Sequence, residues 1–212
     1  MPADLVHLVR HGEVANPEHL LYGRLPGFGL SEQGRRMAEL AAASFEGRPV
    51  TALVASPLQR TQESAAPWAE RFGLAPALDE RVIEPWNRFE GSRVRAAIAR
   101  NPLLLWRMRN PSRPSWGEPF ASMRDRMLEA MNAAADSVDR GEVVIVSHQA
   151  PIETFARSVA GRRLAHSPSH RRTTLSSITS FRRDAATGEW AEVGYQEPAA
   201  GLLTDAIDTG AV

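Results

Sequence analysis

Five side chains in this sequence have types and spacings that suit phosphoryl chemistry. Arg10 and His11 follow the run Leu5–Val9, Arg60 follows the run Val50–Ala55 by one helical turn beyond Ser56, Glu84 follows Val82-Ile83, and His148 follows Val143–Val146. Each run is short, apolar and rich in β-branched residues, the pattern of a buried strand ending in a loop. In a parallel sheet those ends converge on one edge, where ligands bind. The cluster would then hold two guanidiniums, two imidazoles and a carboxyl. Arginine forks match the oxygens of a tetrahedral dianion and keep their charge. A neutral imidazole can attack phosphorus, and a second, protonated one can donate to the oxygens as charge shifts. Glu84 is placed to protonate the leaving oxygen and later to activate water. Taken singly, each residue has an ordinary structural role as a loop hydrogen-bonder or surface charge. The joint placement at several strand ends is what argues for a site.

The elements that must position these residues can be read along the chain. Residues 16–30 are rich in Pro and Gly and form a loop. Ser31 caps a helix over about 32–46 with Met37, Leu40, Ala41 and Phe45 inward, and Ser56 as cap, with Pro57 in the first turn, starts another that runs to about Phe72. Leu78–Ile83 reads as a strand, helices are expected over about 92–109, 119–139 and 151–160, and strands over 176–181 and 190–195. Strands alternating with helices predict an α/β layer fold with a mostly parallel sheet. The expected organisation is one domain over 1–197, with a helical cap inserted at about 86–120 and a flexible tail at 198–212. His7 lies within a strand and is expected to be structural; His19, His166 and His170 carry no assignment.

Composition narrows the function classes. The 212 residues are 43% hydrophobic and 24% charged, ordinary globular values that argue against a disordered chain. The 25 basic residues, all Arg, balance 25 acidic ones, so no global field draws the chain to nucleic acid or an anionic membrane. The absence of Cys excludes disulfides and thiolate chemistry. No apolar run has the length of a membrane span, and the start Met1-Pro2-Ala3-Asp4 lacks a signal-peptide pattern, so a cytoplasmic protein is expected. Monomer and homodimer are both open.

Three blocks in order resemble the histidine phosphatase (phosphoglycerate-mutase-like) superfamily: Leu8-Val9-Arg10-His11-Gly12-Glu13, the block from Ser56-Pro57 through Arg60 to Ala65, and Val146-Ser147-His148, with Phe89-Glu90-Gly91 resembling the end of the acid-bearing segment. The resemblance spans about residues 5–160. It implies a three-layer α/β/α sandwich and a hydrolase that forms phosphohistidine on His11. Arg10, Arg60 and His148 would hold the phosphoryl group, the backbone N–H of Gln149 would add a donor, and Glu84 would be the proton donor, with Glu90 as the alternative acid. It implies no metal and no organic cofactor, and a small-molecule phosphomonoester as the partner. Val14 follows Glu13 where many members have Thr, and Asn16 stands one position early of the family's Asn, which leaves its contact with phosphate open. A mutase is the alternative, with Arg88, Arg93, Arg95, Arg107, Arg109, Arg171 and Arg172 as candidate extra cations. A non-catalytic phospho-ligand sensor would need a broken site, and this one is complete. The loop at 14–30 and the cap are expected to set specificity, with Trp86, Phe89, Trp106 and Trp116 either lining the mouth or forming cap core.

Overall fold

Strand β1 (Leu5–Arg10) and strand β4 (Glu142–Ser147) pair in parallel at the centre of the sheet, and every residue of β4 is buried. Their runs of Val, Ile and Leu suit strands covered on both faces. In the computed structural model, which describes residues 3–93, 117–166 and 171–208, the six strands lie in the order β3-β2-β4-β1-β5-β6. Strands β2 (Val50–Ala55) and β3 (Ala77–Leu78) continue the parallel part, while β5 (Ile178–Arg183) and β6 (Trp190–Gln196) add an antiparallel edge. The described helices are α1 (Glu32–Ala43), α2 (Gln59–Phe72), α3 (Phe120–Asp136) and α4 (Gln149–Val159).

Strand alternation divides the core between two faces. Val6, Leu8, Val143 and Ile145 point to one side and pack with Met127 and Met131 of α3 and Ile152 and Phe155 of α4. Val9, Leu53, Val144 and Val146 point to the other and pack with Ala41 of α1, Phe45, and Ala65 and Trp68 of α2. Removing each large side chain of this kind from water stabilises the fold by about 1.5–3 kcal/mol. The result is the three-layer α/β/α sandwich with a mostly parallel sheet.

Several local expectations are corrected. The strand expected at Leu78–Ile83 ends at Leu78, and Glu80–Val82 forms a 3₁₀ turn. Asp79 drives this change by capping the Arg81 N–H with its own carboxylate at 2.8 Å. Leu40 is 43% exposed, and Ala38 takes an inward place on α1 instead. Ser56 does not cap α2, whose N-cap is Leu58 without a side-chain bond. Ser31 does cap α1, accepting from the Gly34 N–H at 2.9 Å.

Residues 198–208, expected as a flexible tail, fold back on the domain. Ala200–Leu202 form a 3₁₀ turn, and Ala199, Leu202, Leu203 and Ala206 pack against Met37 and Leu175. The apolar residues are too few to show a periodicity, so the pattern conceals a segment held by tertiary packing. Residues 209–212 of that tail, the helix at about 92–109, most of the cap, and with them Arg95, Trp106, Arg107, Arg109, Trp116 and His170, lie outside the described residues.

Candidate active site

The parallel strands deliver the predicted residues to one edge. The His11 N–H donates to the Ser147 carbonyl at 3.1 Å and the Ser56 N–H to the Val146 carbonyl at 3.0 Å, so sheet pairing continues past the strand ends. His11 and His148 meet edge-on, with ring centroids 5.3 Å apart. Arg10, His11, Arg60, Glu84 and His148 are all buried. Gly12 is required by the turn after His11: a Cβ there would overlap the Gly34 carbonyl, and one on Gly34 would overlap the Glu13 carbonyl. The first turn of α1 therefore rests directly on the loop that carries His11.

A backbone carbonyl fixes the proton of the first imidazole. His11 Nδ1 lies 2.7 Å from the Gly12 carbonyl, which can only accept, so this nitrogen carries the proton and Nε2 keeps its lone pair in the neutral ring. Burial holds the His11 pKa well below its usual range, and the Arg60 and Arg10 charges push the same way. His148 Nε2 lies 2.8 Å from the Ser56 hydroxyl. Burial also holds the His148 pKa down, with the charges of Arg60, His11, Arg126 and Arg10 acting in the same direction. Its Nδ1 stands 3.8 Å from Glu84 Oε2.

Glu84 enters beneath α3 on the segment that the 3₁₀ turn redirects. Its carbonyl accepts from Arg24 Nε at 2.6 Å, and Arg126 ties α3 to this segment by donating to the Arg81 carbonyl at 2.6 Å and to both oxygens of Glu118. Burial raises the Glu84 pKa, opposed by the charges of Arg60, Arg171, Arg10 and Arg126. Glu90, the alternative acid, is half-buried and accepts the Asn87 N–H at 2.9 Å.

The two arginines are anchored by carbonyls. Arg60 donates from Nη2 to the Gly23 carbonyl at 2.8 Å and lies over the Tyr22 ring, and Arg10 donates from Nη1 to the Thr173 carbonyl at 2.9 Å. Among the described residues, Arg10 Nε, Arg60 Nε, both Glu84 carboxyl oxygens and His148 Nδ1 are buried without a hydrogen-bond partner. Unpaired polar atoms are costly away from water, so five of them in one cluster mark a place built for a polar ligand. Donors and a carboxyl whose pKa burial raises fit a phosphoryl group. Gln149 opens α4, where the first N–H groups have no partner within the helix, and its side chain donates to the Thr173 carbonyl at 3.1 Å.

Not every residue fits the expected pattern. Asn16 is buried, and its side-chain amide brackets Leu20, donating to the Leu20 carbonyl at 2.8 Å and accepting its N–H at 3.1 Å. Residues not singled out from the sequence also frame the site. Ser64 accepts the Gly12 N–H, Glu13 accepts from the Ser31 hydroxyl and the Ile207 N–H, and Asp208 forms a bidentate pair with Arg10. Ser64 and Glu13 lie within the recognised blocks, whereas no local signal marks Asp208. Arg171, named only as one cation among many, donates to Gln149 Oε1 at 3.3 Å and His166 Nε2 at 3.0 Å. Burial lowers its pKa to about 10, opposed by Glu84 and reinforced by Arg10, which places it electrostatically beside the site.

Comparisons with known proteins place the chain and its fold. The model of the histidine phosphatase superfamily (branch 1) matches residues 6–195. The uncharacterized protein Rv0525 of Mycobacterium tuberculosis is 46% identical over 197 residues, covering 92% of this chain and 96% of its own. A protein of Erwinia tasmaniensis named "Probable phosphoglycerate mutase GpmB" is 26% identical over 211 residues, covering 96% and 95%. The solved mycobacterial glucosyl-3-phosphoglycerate phosphatase Rv2419c shares the fold, with a TM-score of 0.71, 24% identity and coverage of 89% of this chain and 96% of that one. With a family model spanning most of its length and a relative this similar over nearly all of both chains, the protein belongs to the histidine phosphatase superfamily.

Proposed function

We propose that the protein hydrolyses small phosphomonoesters through a phosphohistidine on His11. The observation that carries this reading is the tautomer of His11, whose Nδ1 proton is committed to the Gly12 carbonyl and whose Nε2 is left nucleophilic beside His148. In the first step the Nε2 lone pair forms the N–P bond while the ester P–O bond breaks. Glu84, whose pKa burial raises, gives its proton to the departing oxygen. In the second step Glu84, now a carboxylate, takes a proton from water. The water oxygen bonds to phosphorus and the N–P electron pair returns to Nε2. Arg10, Arg60 and His148 meet the charge on the phosphoryl oxygens in both steps, with the Gln149 N–H as a further donor.

Phosphoryl transfer to a second oxygen, as in a mutase, is the second reading. Its support is the likeness along the whole chain to a relative named for that activity. The two are separated by incubating the protein, with EDTA present, with 3-phosphoglycerate, sugar phosphates, nucleotides and an aryl phosphate, following inorganic phosphate and isomerised product together. Phosphate release that disappears in His11→Ala is the expected result. Isomerisation without release would overturn the hydrolase reading, and release retained in His11→Ala would overturn the mechanism.

A further inference from the structure

We propose that Asp208 is a positioning residue that sets the Arg10 guanidinium for phosphate binding, so that docking of the 198–208 segment completes the site. This rests on the phosphoryl-site reading of Arg10 above. A guanidinium has five N–H groups in a fixed plane. Arg10 Nη1 donates to the Thr173 carbonyl at 2.9 Å and to Asp208 Oδ2 at 2.8 Å, and Nη2 donates to Asp208 Oδ1 at 2.5 Å. Asp208 therefore takes the end of the fork, between the two Nη atoms, and Thr173 takes the outer edge of Nη1. The remaining edge carries Nε–H and the second Nη2–H. Nε is buried and has no partner among the described residues. Two parallel donors on one edge are the arrangement that binds two oxygens of a phosphoryl group.

The placement of Asp208 is itself specified. The Ile207 N–H donates to Glu13 Oε1 at 2.6 Å, and Glu13 also takes the hydroxyl of Ser31, the cap of α1. Gln33 of α1 donates to the Leu202 carbonyl at 2.8 Å, and Leu202, Leu203 and Ala206 pack on Met37. The segment is thus fastened to α1 and to the loop that carries His11, and its carboxylate reaches Arg10 from there. Two consequences of the Asp208 charge oppose each other. A carboxylate near the site repels an anion, but its side chain is 40% exposed and that repulsion is screened by water and salt. Orientation of a fully buried guanidinium is not screened, so the positioning effect dominates.

The test is Asp208→Asn in the full chain, with inorganic phosphate binding measured by calorimetry and ester turnover by steady-state kinetics. Losing a charge-assisted bidentate partner should weaken phosphate binding and raise KM about tenfold or more, with a smaller change in kcat. Unchanged or tighter phosphate binding in the variant would overturn the proposal. A second measurement needs no mutation. If docking and phosphate favour each other, the coupling is reciprocal, and saturating phosphate must slow amide exchange at Ile207. Faster exchange would mean that Asp208 competes with phosphate, and would overturn the proposal. Phosphate binding that depends on Asp208 in a protein that hydrolyses no ester would leave this assignment standing and remove only the hydrolase reading. Wild-type protein that binds no phosphate would overturn both.

Discussion

Glu84 Oε2 and His148 Nδ1 face each other across 3.8 Å, both buried, and neither has a hydrogen-bond partner among the described residues. A charged pair at this distance would normally be an ion pair. Here burial pushes the carboxyl pKa up and the imidazole pKa down, which favours the neutral form of each. The proposed mechanism uses both shifts, with Glu84 as the proton donor to the leaving group and His148 beside the phosphoryl oxygens.

Glu84→Gln removes that proton while keeping the shape. Turnover of alkyl phosphates should fall about 10²–10⁴-fold. An aryl phosphate with a good leaving group needs less protonation and should lose much less. Steady-state rates on one ester of each kind check this, and equal losses would argue that Glu84 is not the acid.

The pH profile follows from the same shifts. His11 must be neutral to attack, and its pKa lies well below 6.5, so the acid limb of kcat/KM falls below the ordinary histidine range. Glu84 must be protonated, and its pKa is raised above 4.5, so activity is lost as pH rises through that raised value. After correction for the substrate's second ionisation, near about pH 6, the wild type should give a bell. In Glu84→Gln the alkaline limb should be missing.

Gly34→Ala tests how α1 is seated. The added Cβ would overlap the Glu13 carbonyl, a backbone atom that cannot swing aside. Overpacking of this kind costs about 1–3 kcal/mol. Urea denaturation should show that loss, together with reduced turnover, because the displaced loop carries His11. Wild-type stability and activity would show that the loop yields freely.

His7 gives a pH dependence of stability away from the chemistry. It bonds Ser180 at 2.8 Å and Glu142 at 3.2 Å, and burial lowers its pKa to about 4, with Glu142 opposing. The folded pKa lies below the unfolded one, so the unfolded chain binds the proton first. Stability is then unaffected above about pH 6.5 and falls between there and about pH 4, by about 3 kcal/mol. His11 and His148 add slope in the same direction, so the comparison is with His7→Gln, whose unfolding free energy should fall less steeply over that window.

Much of the fold was legible because its signals are local. The runs Leu5–Val9 and Val143–Val146 are buried on both faces and could hardly be anything but central strands, and Ser31 supplies its own cap. His11, Arg60 and His148 were findable because parallel strands place their ends together. The misread stretches depend on partners far away in sequence. Ser56 looks like a helix cap, but its hydroxyl is hydrogen-bonded with His148, 92 residues on. The 198–208 segment has weak patterning because its few apolar residues fill a groove made by α1 and Leu175, and Asp208 meets Arg10 across 198 positions.

Every step of the proposed hydrolysis passes through a bond between phosphorus and His11. Rapid quenching of the protein during turnover of a ³²P-labelled ester, followed by peptide mapping under alkaline conditions, tests it directly. The expected result is acid-labile, base-stable label on the peptide carrying His11, attached at Nε2 and absent from His11→Ala, with its decay matching phosphate release. Label on another residue, or full turnover by His11→Ala, would contradict it.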